Sequence, residues 1–291
     1  MKYLLILTLF IFNLNASEAF ISPNELKNSL ENENLIIIDV AVLSTYKTSH
    51  IKGAINCNVS NFINPESLYS QMNPIEIIQN ELKELGINKN SKVVIYSHNT
   101  KKGVLNSSYL AFILIYSGFE NLSILDGGYM SWLFENELLT SSDSSYASSE
   151  GNFTININQN IVVSSDIVLN TLTSTIKLDA RSPQMYYGTQ RSENVASVGH
   201  IKYAKSSYYA DKFLRDGILR DQEELNEIFI DGHELKSTDE IIVYSDNVFS
   251  ASMEFYILYK HMGFNNAKIY EASLLEWGNA LDLPMTRFKW E

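Results

Sequence analysis

The sequence predicts an α/β protein built from two copies of one unit, each with a mostly parallel sheet flanked by helices. Three observations carry this. Continuous apolar runs, Leu35-Ile36-Ile37-Ile38-Asp39-Val40 and Val93-Val94-Ile95-Tyr96 among them, read as strands covered on both faces. An apolar helical stretch over residues 109–116, stopped by Gly118, lies between the second of these runs and Leu122-Ser123-Ile124-Leu125, which makes a strand–helix–strand unit. Landmarks of the first half then return in order in the second. Asp39 and Asp179 lie 140 residues apart, His50 and His200 150, Tyr96 and Tyr244 148, and Trp132 and Trp277 145. Spacing this steady marks a duplicated domain with small insertions.

The elements follow in chain order. Met1-Lys2, an apolar run from Tyr3 to Leu14 and the small residues Ala16, Ser17 and Ala19 have the pattern of a secretory signal peptide, with cleavage expected after Ala19 or after Ala16. Residues 1–19 are therefore set apart from the fold, and the periplasm of a bacterium or the exterior is the expected destination. Ser22-Pro23-Asn24-Glu25 opens a helix with a capping box and proline at its first position. The first unit is expected over 20–139. The polar, serine-rich run 140–152 reads as a linker, and 153–291 as the second unit. There Ile176-Lys177-Leu178-Asp179, His200-Ile201-Lys202, Ile241-Ile242-Val243-Tyr244-Ser245 and Gly263-Phe264-Asn265-Asn266 repeat first-half counterparts.

Composition narrows the function. The chain of 291 residues carries 34 acidic and 22 basic residues, a formal charge of −12. A phosphate-backbone binder needs a basic face, which argues against nucleic acid, and an anionic membrane is disfavoured for the same reason once the signal is removed. A single cysteine, Cys57, excludes an internal disulfide framework and a multi-cysteine metal site. Gly127-Gly128 suits a turn at positive φ rather than a phosphate loop, and no GxxxxGK[ST] motif occurs.

The order of these motifs resembles the rhodanese family, specifically its tandem-domain thiosulfate and 3-mercaptopyruvate sulfurtransferases. Asp39-Val40, Tyr46, Ser49-His50-Ile51-Lys52-Gly53-Ala54 and Leu125-Asp126-Gly127-Gly128 carry the resemblance in the first half. Asp179-Ala180-Arg181-Ser182, Gly199-His200-Ile201 and Tyr270-Glu271-Ala272-Ser273 through Glu276-Trp277-Gly278 carry it in the second. The resemblance implies a five-stranded sheet in each unit, no cofactor and no metal. It implies sulfane sulfur chemistry in which a loop cysteine of the second domain, cradled by backbone N–H groups at a helix start, becomes a persulfide.

Both nucleophile positions depart from that pattern. The second loop reads Ser245-Asp246-Asn247-Val248-Phe249-Ser250, with Ser245 at the cysteine position, and Ser97 stands there in the first. A hydroxyl cannot carry a persulfide. Asp246 puts negative charge where an anionic donor would approach. Met185 stands where a substrate arginine is usual, leaving Arg181 and Arg191 as the candidate substrate contacts. Loss of sulfur transfer is the expectation, with the old loop serving as a pocket for a small anion or a protein partner. The alternative is an active enzyme that uses Cys57 or a bound thiol. Ser97, His98, Lys101 and Lys102 ahead of the first-unit helix form a candidate anion loop. Asp39, Asp179, His50 and His200 are read as turn-shaping rather than catalytic.

Overall fold

A computed structural model describes residues 18–98, 101–136 and 139–291, without the side chains of Lys101 and Lys102. Residues 1–17 of the expected signal peptide lie outside this range. The first unit runs β1 (Phe20–Ile21), α1 (Pro23–Asn28), β2 (Leu35–Asp39), α2 (Leu43–Thr48), β3 (His50–Ile51), β4 (Ile55–Asn56), α3 (Ile75–Glu84), β5 (Lys92–Tyr96), α4 (Lys101–Tyr116), β6 (Leu122–Leu125), α5 (Gly128–Asn136) and β7 (Thr140–Ser141). The second repeats it with β8 (Val162–Val163), α6 (Ser165–Asn170), β9 (Ile176–Asp179), α7 (Pro183–Tyr187), β10 (His200–Ile201), β11 (Lys205–Ser206), α8 (Gln222–Asn226), β12 (Ile241–Tyr244), α9 (Val248–Tyr256), β13 (Ala267–Tyr270), α10 (Ser273–Trp277) and β14 (Met285–Thr286).

Each unit has a five-stranded parallel sheet in the same order, β1-β6-β5-β2-β4 and β8-β13-β12-β9-β11. The central strands β5 and β12 are apolar and buried because helices cover both faces. At α1 the capping box closes both ways: Ser22 Oγ accepts the Glu25 N–H at 3.3 Å, and Glu25 Oε2 accepts the Ser22 N–H at 2.9 Å.

The duplication extends into the connecting segment. β7 pairs antiparallel with β3, and Tyr46 Oη accepts the Ser145 N–H. β14 pairs antiparallel with β10, and Tyr186 Oη accepts the Glu291 N–H. The chain from 140 onward is therefore the first unit's counterpart of the C-terminal strap. It stays on that unit: Gly151 N–H donates to Lys83 O, Phe153 N–H to Ile87 O, and Asn158 N–H to Tyr116 O.

The units share one core. Helices α4 and α9 pack on each other, with Phe112 against Phe255 at 5.9 Å and Tyr109 against Phe249 at 5.0 Å. Two carboxylates in equivalent turns reach across in opposite directions. Asp126 accepts the Leu219 N–H at 2.9 Å, and Glu271 accepts the Met72 N–H at 2.5 Å.

Candidate functional site

At the carboxyl end of β12 the chain turns through Ser245–Asn247 into α9. Asn247 caps this helix by accepting the Phe249 N–H at 3.1 Å. Ser245 is buried and held from several sides. Its N–H donates to Ser273 Oγ at 3.1 Å, and its carbonyl accepts from Leu274 N–H at 3.1 Å. Its Oγ accepts the Ala251 N–H at 3.2 Å and donates its own hydrogen to the Asn247 carbonyl. The loop thus still aims a helix-start amide at the side chain. Among the described residues no imidazole or carboxylate hydrogen-bonds to that hydroxyl, so it lacks the base a serine nucleophile needs.

Asp246 closes over Arg181. The Arg181 guanidinium is 4% exposed, and all its donors are engaged. Nε and Nη2 form a fork on Asp179 at 2.9 and 2.6 Å, Nη2 also meets Gly199 O at 2.6 Å, and Nη1 meets Ser192 Oγ and Asp246 Oδ1, both at 3.4 Å. Ser192 Oγ donates to Asp246 as well. Burial raises the Asp246 carboxyl above its ordinary range, opposed by Arg181 and Ser192. Arg191 is exposed and donates to Ala196 O at 2.6 Å. Val248 is fully buried, Phe249 rests on Tyr109 of the first unit, and Ser250 is half-buried in the helix's first turn.

The first-unit loop partners its strand-end carboxylate differently. Ala41 stands where Arg181 stands in the second unit, so β2 supplies no cation. His98, at the position of Asp246, supplies the partner instead, with Nε2 3.0 Å from Asp39 Oδ2. Its ring stacks on Tyr129 at 4.1 Å. Ser97 is buried and its carbonyl accepts the Tyr129 N–H at 2.9 Å. His98 thus faces a carboxylate rather than an open anion pocket, and the side chains of Lys101 and Lys102 lie outside the described residues. The crevice beside Ser97, closed by Phe213 and Gly217 of the second unit, has about 10 Å³, room for one water. A wider cleft of about 390 Å³ lies at the amino ends of β2 and β5, away from both loops.

The turn-shaping residues behave as their chemistry predicts. Asp39 and Asp179 accept the N–H of the residue two ahead, at 2.8 and 3.0 Å. His50 and His200 are buried, stack on Tyr46 and Tyr186 at 3.8 Å, and direct Nδ1 at those tyrosines' carbonyls at 2.7 and 2.8 Å. Cys57 is 5% exposed in the core, and burial pushes its thiol far up.

Sequence reasoning missed Ser192 and Ser273. Ser273 has φ 51, in the left-handed region, where the first unit has Gly128 at φ 62. A Cβ at Gly128 would stand 2.7 Å from Ser97 O. The serine carries that strain and uses its hydroxyl to hold the Ser245 loop. Setting Gly127-Gly128 against Ala272-Ser273 would have exposed it. Nothing in the sequence marks Ser192.

A family model described as a Rhodanese-like domain matches residues 22–135 and 169–280. The chain is 25% identical over 292 residues to the sulfur carrier protein TtuD of Thermus thermophilus, covering 93% of this chain and 97% of that one. It is 25% identical over 291 residues to a 3-mercaptopyruvate sulfurtransferase of Escherichia coli, covering 93% and 98%. Among solved structures, YnjE superposes with a TM-score of 0.82 at 18% identity over 93% of this chain and 68% of that one. Wild-type EanB gives 0.80 at 20% identity over 92% and 69%. These two likenesses speak for the fold.

Proposed function

The chain belongs to the rhodanese family, and on that premise we propose that it is an exported tandem-unit member that no longer transfers sulfur and works as a binding or regulatory module. The observation that carries this is the state of Ser245. It sits where the family's loop presents a thiolate, and its hydroxyl is spent on the Asn247 carbonyl. An oxygen there cannot hold sulfane sulfur. The second support is the Arg181–Asp246 contact, which places a carboxylate beside the cation that an anionic donor would otherwise meet. That neutralisation weighs against a small anion at the second loop and favours a protein partner. Transfer through Cys57 is disfavoured by its burial and raised pKa, which leave little thiolate.

The test is cyanolysis with thiosulfate and with 3-mercaptopyruvate. Wild type and Cys57→Ala are expected to be inactive. Ser245→Cys is expected to gain only weak activity, because Asp246 repels the donor and disfavours the thiolate. Ser245→Cys with Asp246→Gly is expected to exceed it at least tenfold. Turnover by the wild type that Cys57→Ala abolishes would overturn the reading.

A further inference from the structure

The sequence leaves two bonds open to a leader peptidase, and the fold separates them. Ser17-Glu18-Ala19 has small residues two apart and fits cleavage at the Ala19–Phe20 bond. Yet Glu18 and Ala19 belong to the folded unit. Ser123 Oγ donates to Glu18 O at 2.5 Å, and Ile124 N–H donates to Ala19 O at 2.9 Å, extending the β1–β6 pairing backward. Tyr256 of the second unit donates its phenol hydrogen to the same Ala19 carbonyl. Ala19 is 5% exposed, and Ser123, Ile124 and Tyr256 are all buried. Phe20 then wedges its ring against Phe213, Tyr256 and His261 of the second unit, at 6.3, 5.4 and 5.8 Å.

Cleavage after Ala19 would remove, at once, the carbonyl acceptors that three buried donors use in the folded chain, a costly loss. It would also place a new ammonium on Phe20, at the aromatic seam between the units, where a charge is poorly solvated. Cleavage at the Ala16–Ser17 bond leaves these acceptors in place and sets the new ammonium before exposed Glu18.

We propose that the processing site is the Ala16–Ser17 peptide bond, and that residues 18–21 of the mature chain form the seam strand joining the two units. The bond is hydrolysed by a membrane-bound leader peptidase. Water adds across the amide, leaving a carboxylate on Ala16 and a free amine on Ser17. This rests on the export reading above, and the experiment separates the two. The full chain is expressed in Escherichia coli, and the periplasmic product is analysed by intact mass and amino-terminal sequencing.

A chain beginning at Ser17 is the expected product. A chain beginning at Phe20 would overturn the site while export stands. An uncut chain retained in the cytoplasm would overturn both. In parallel, chains made to begin at Ser17 and at Phe20 are melted. The shorter one is expected to melt roughly 10 °C or more below the longer. In a Tyr256→Phe background that difference should shrink, because one of the orphaned donors is already gone. Equal melting temperatures would overturn the proposal even if the cell happened to cut at Ala16.

Discussion

Oxygen in place of sulfur at position 245 removes the transfer chemistry, but the neighbours at 181 and 246 decide what the loop can hold instead. Arg181 and Asp179 are both buried, so the pair persists only because each neutralises the other. Arg181→Met should leave Asp179 uncompensated and cost about 3–5 kcal/mol of stability in urea unfolding. A loss below 1 kcal/mol would mean that the buried pair contributes little to stability. Asp246→Gly should do the opposite of harm. It frees one face of a fixed guanidinium, so sulfite or thiosulfate should bind in calorimetry at concentrations where wild type shows no heat. No gain in anion binding would show that Asp246 is not what blocks the site.

Among the elements, the connecting segment behaves least like its composition. Residues 140–152 are polar and serine-rich, which in sequence reads as a spacer. In the structure they follow the first unit's surface until Phe153 enters its core, 7% exposed and edge-on to Phe119 at 5.2 Å. Phe153→Ala should therefore cost about 3 kcal/mol or more in unfolding experiments, as a core deletion does. A flexible tether would lose almost nothing.

What the sequence made legible was what burial and duplication write into it. The apolar runs became β2, β5, β6 and β12, the Ser22 box became α1, and the repeated landmarks fell at equivalent places, Asp39 and Asp179 ending β2 and β9, His50 and His200 opening β3 and β10, and Trp132 and Trp277 in α5 and α10. The strap was illegible because it is held by backbone pairing of β7 to β3, which leaves no side-chain periodicity. The Asp246–Arg181 contact was hidden for a related reason. It joins residues 65 apart whose separate motifs gave no sign that they meet.

Across the whole molecule, the Asp126 and Glu271 contacts make the seam sensitive to pH. Burial raises the Glu271 carboxyl to about 7, with the Met72 N–H opposing, and Tyr109 and Tyr116 are the titratable groups that sense its charge. The folded protein therefore holds a proton on Glu271 that the unfolded chain has released above about 4.5. Its contribution is full below 4.5 and is lost as pH rises through 7, a change of about 3 kcal/mol. Asp126 and Glu254, also raised by burial, act in the same direction. His233 acts oppositely. Burial, aided by Lys212 and Lys205, lowers it to about 4, so its contribution is present above 6.5 and lost as pH falls through 4. Between 4.5 and 6.5 the two slopes oppose, and the wild-type profile should be shallow there. Glu271→Gln keeps an acceptor for Met72 but removes the titration. Its urea-derived stability should therefore gain on the wild type's as pH rises from 4.5 to 7, by about 3 kcal/mol in all, and the gap should stay constant above 7. If the variant and the wild type keep parallel profiles from pH 4 to 8, Glu271 titrates as an ordinary surface carboxylate and the seam carries no pH dependence through it.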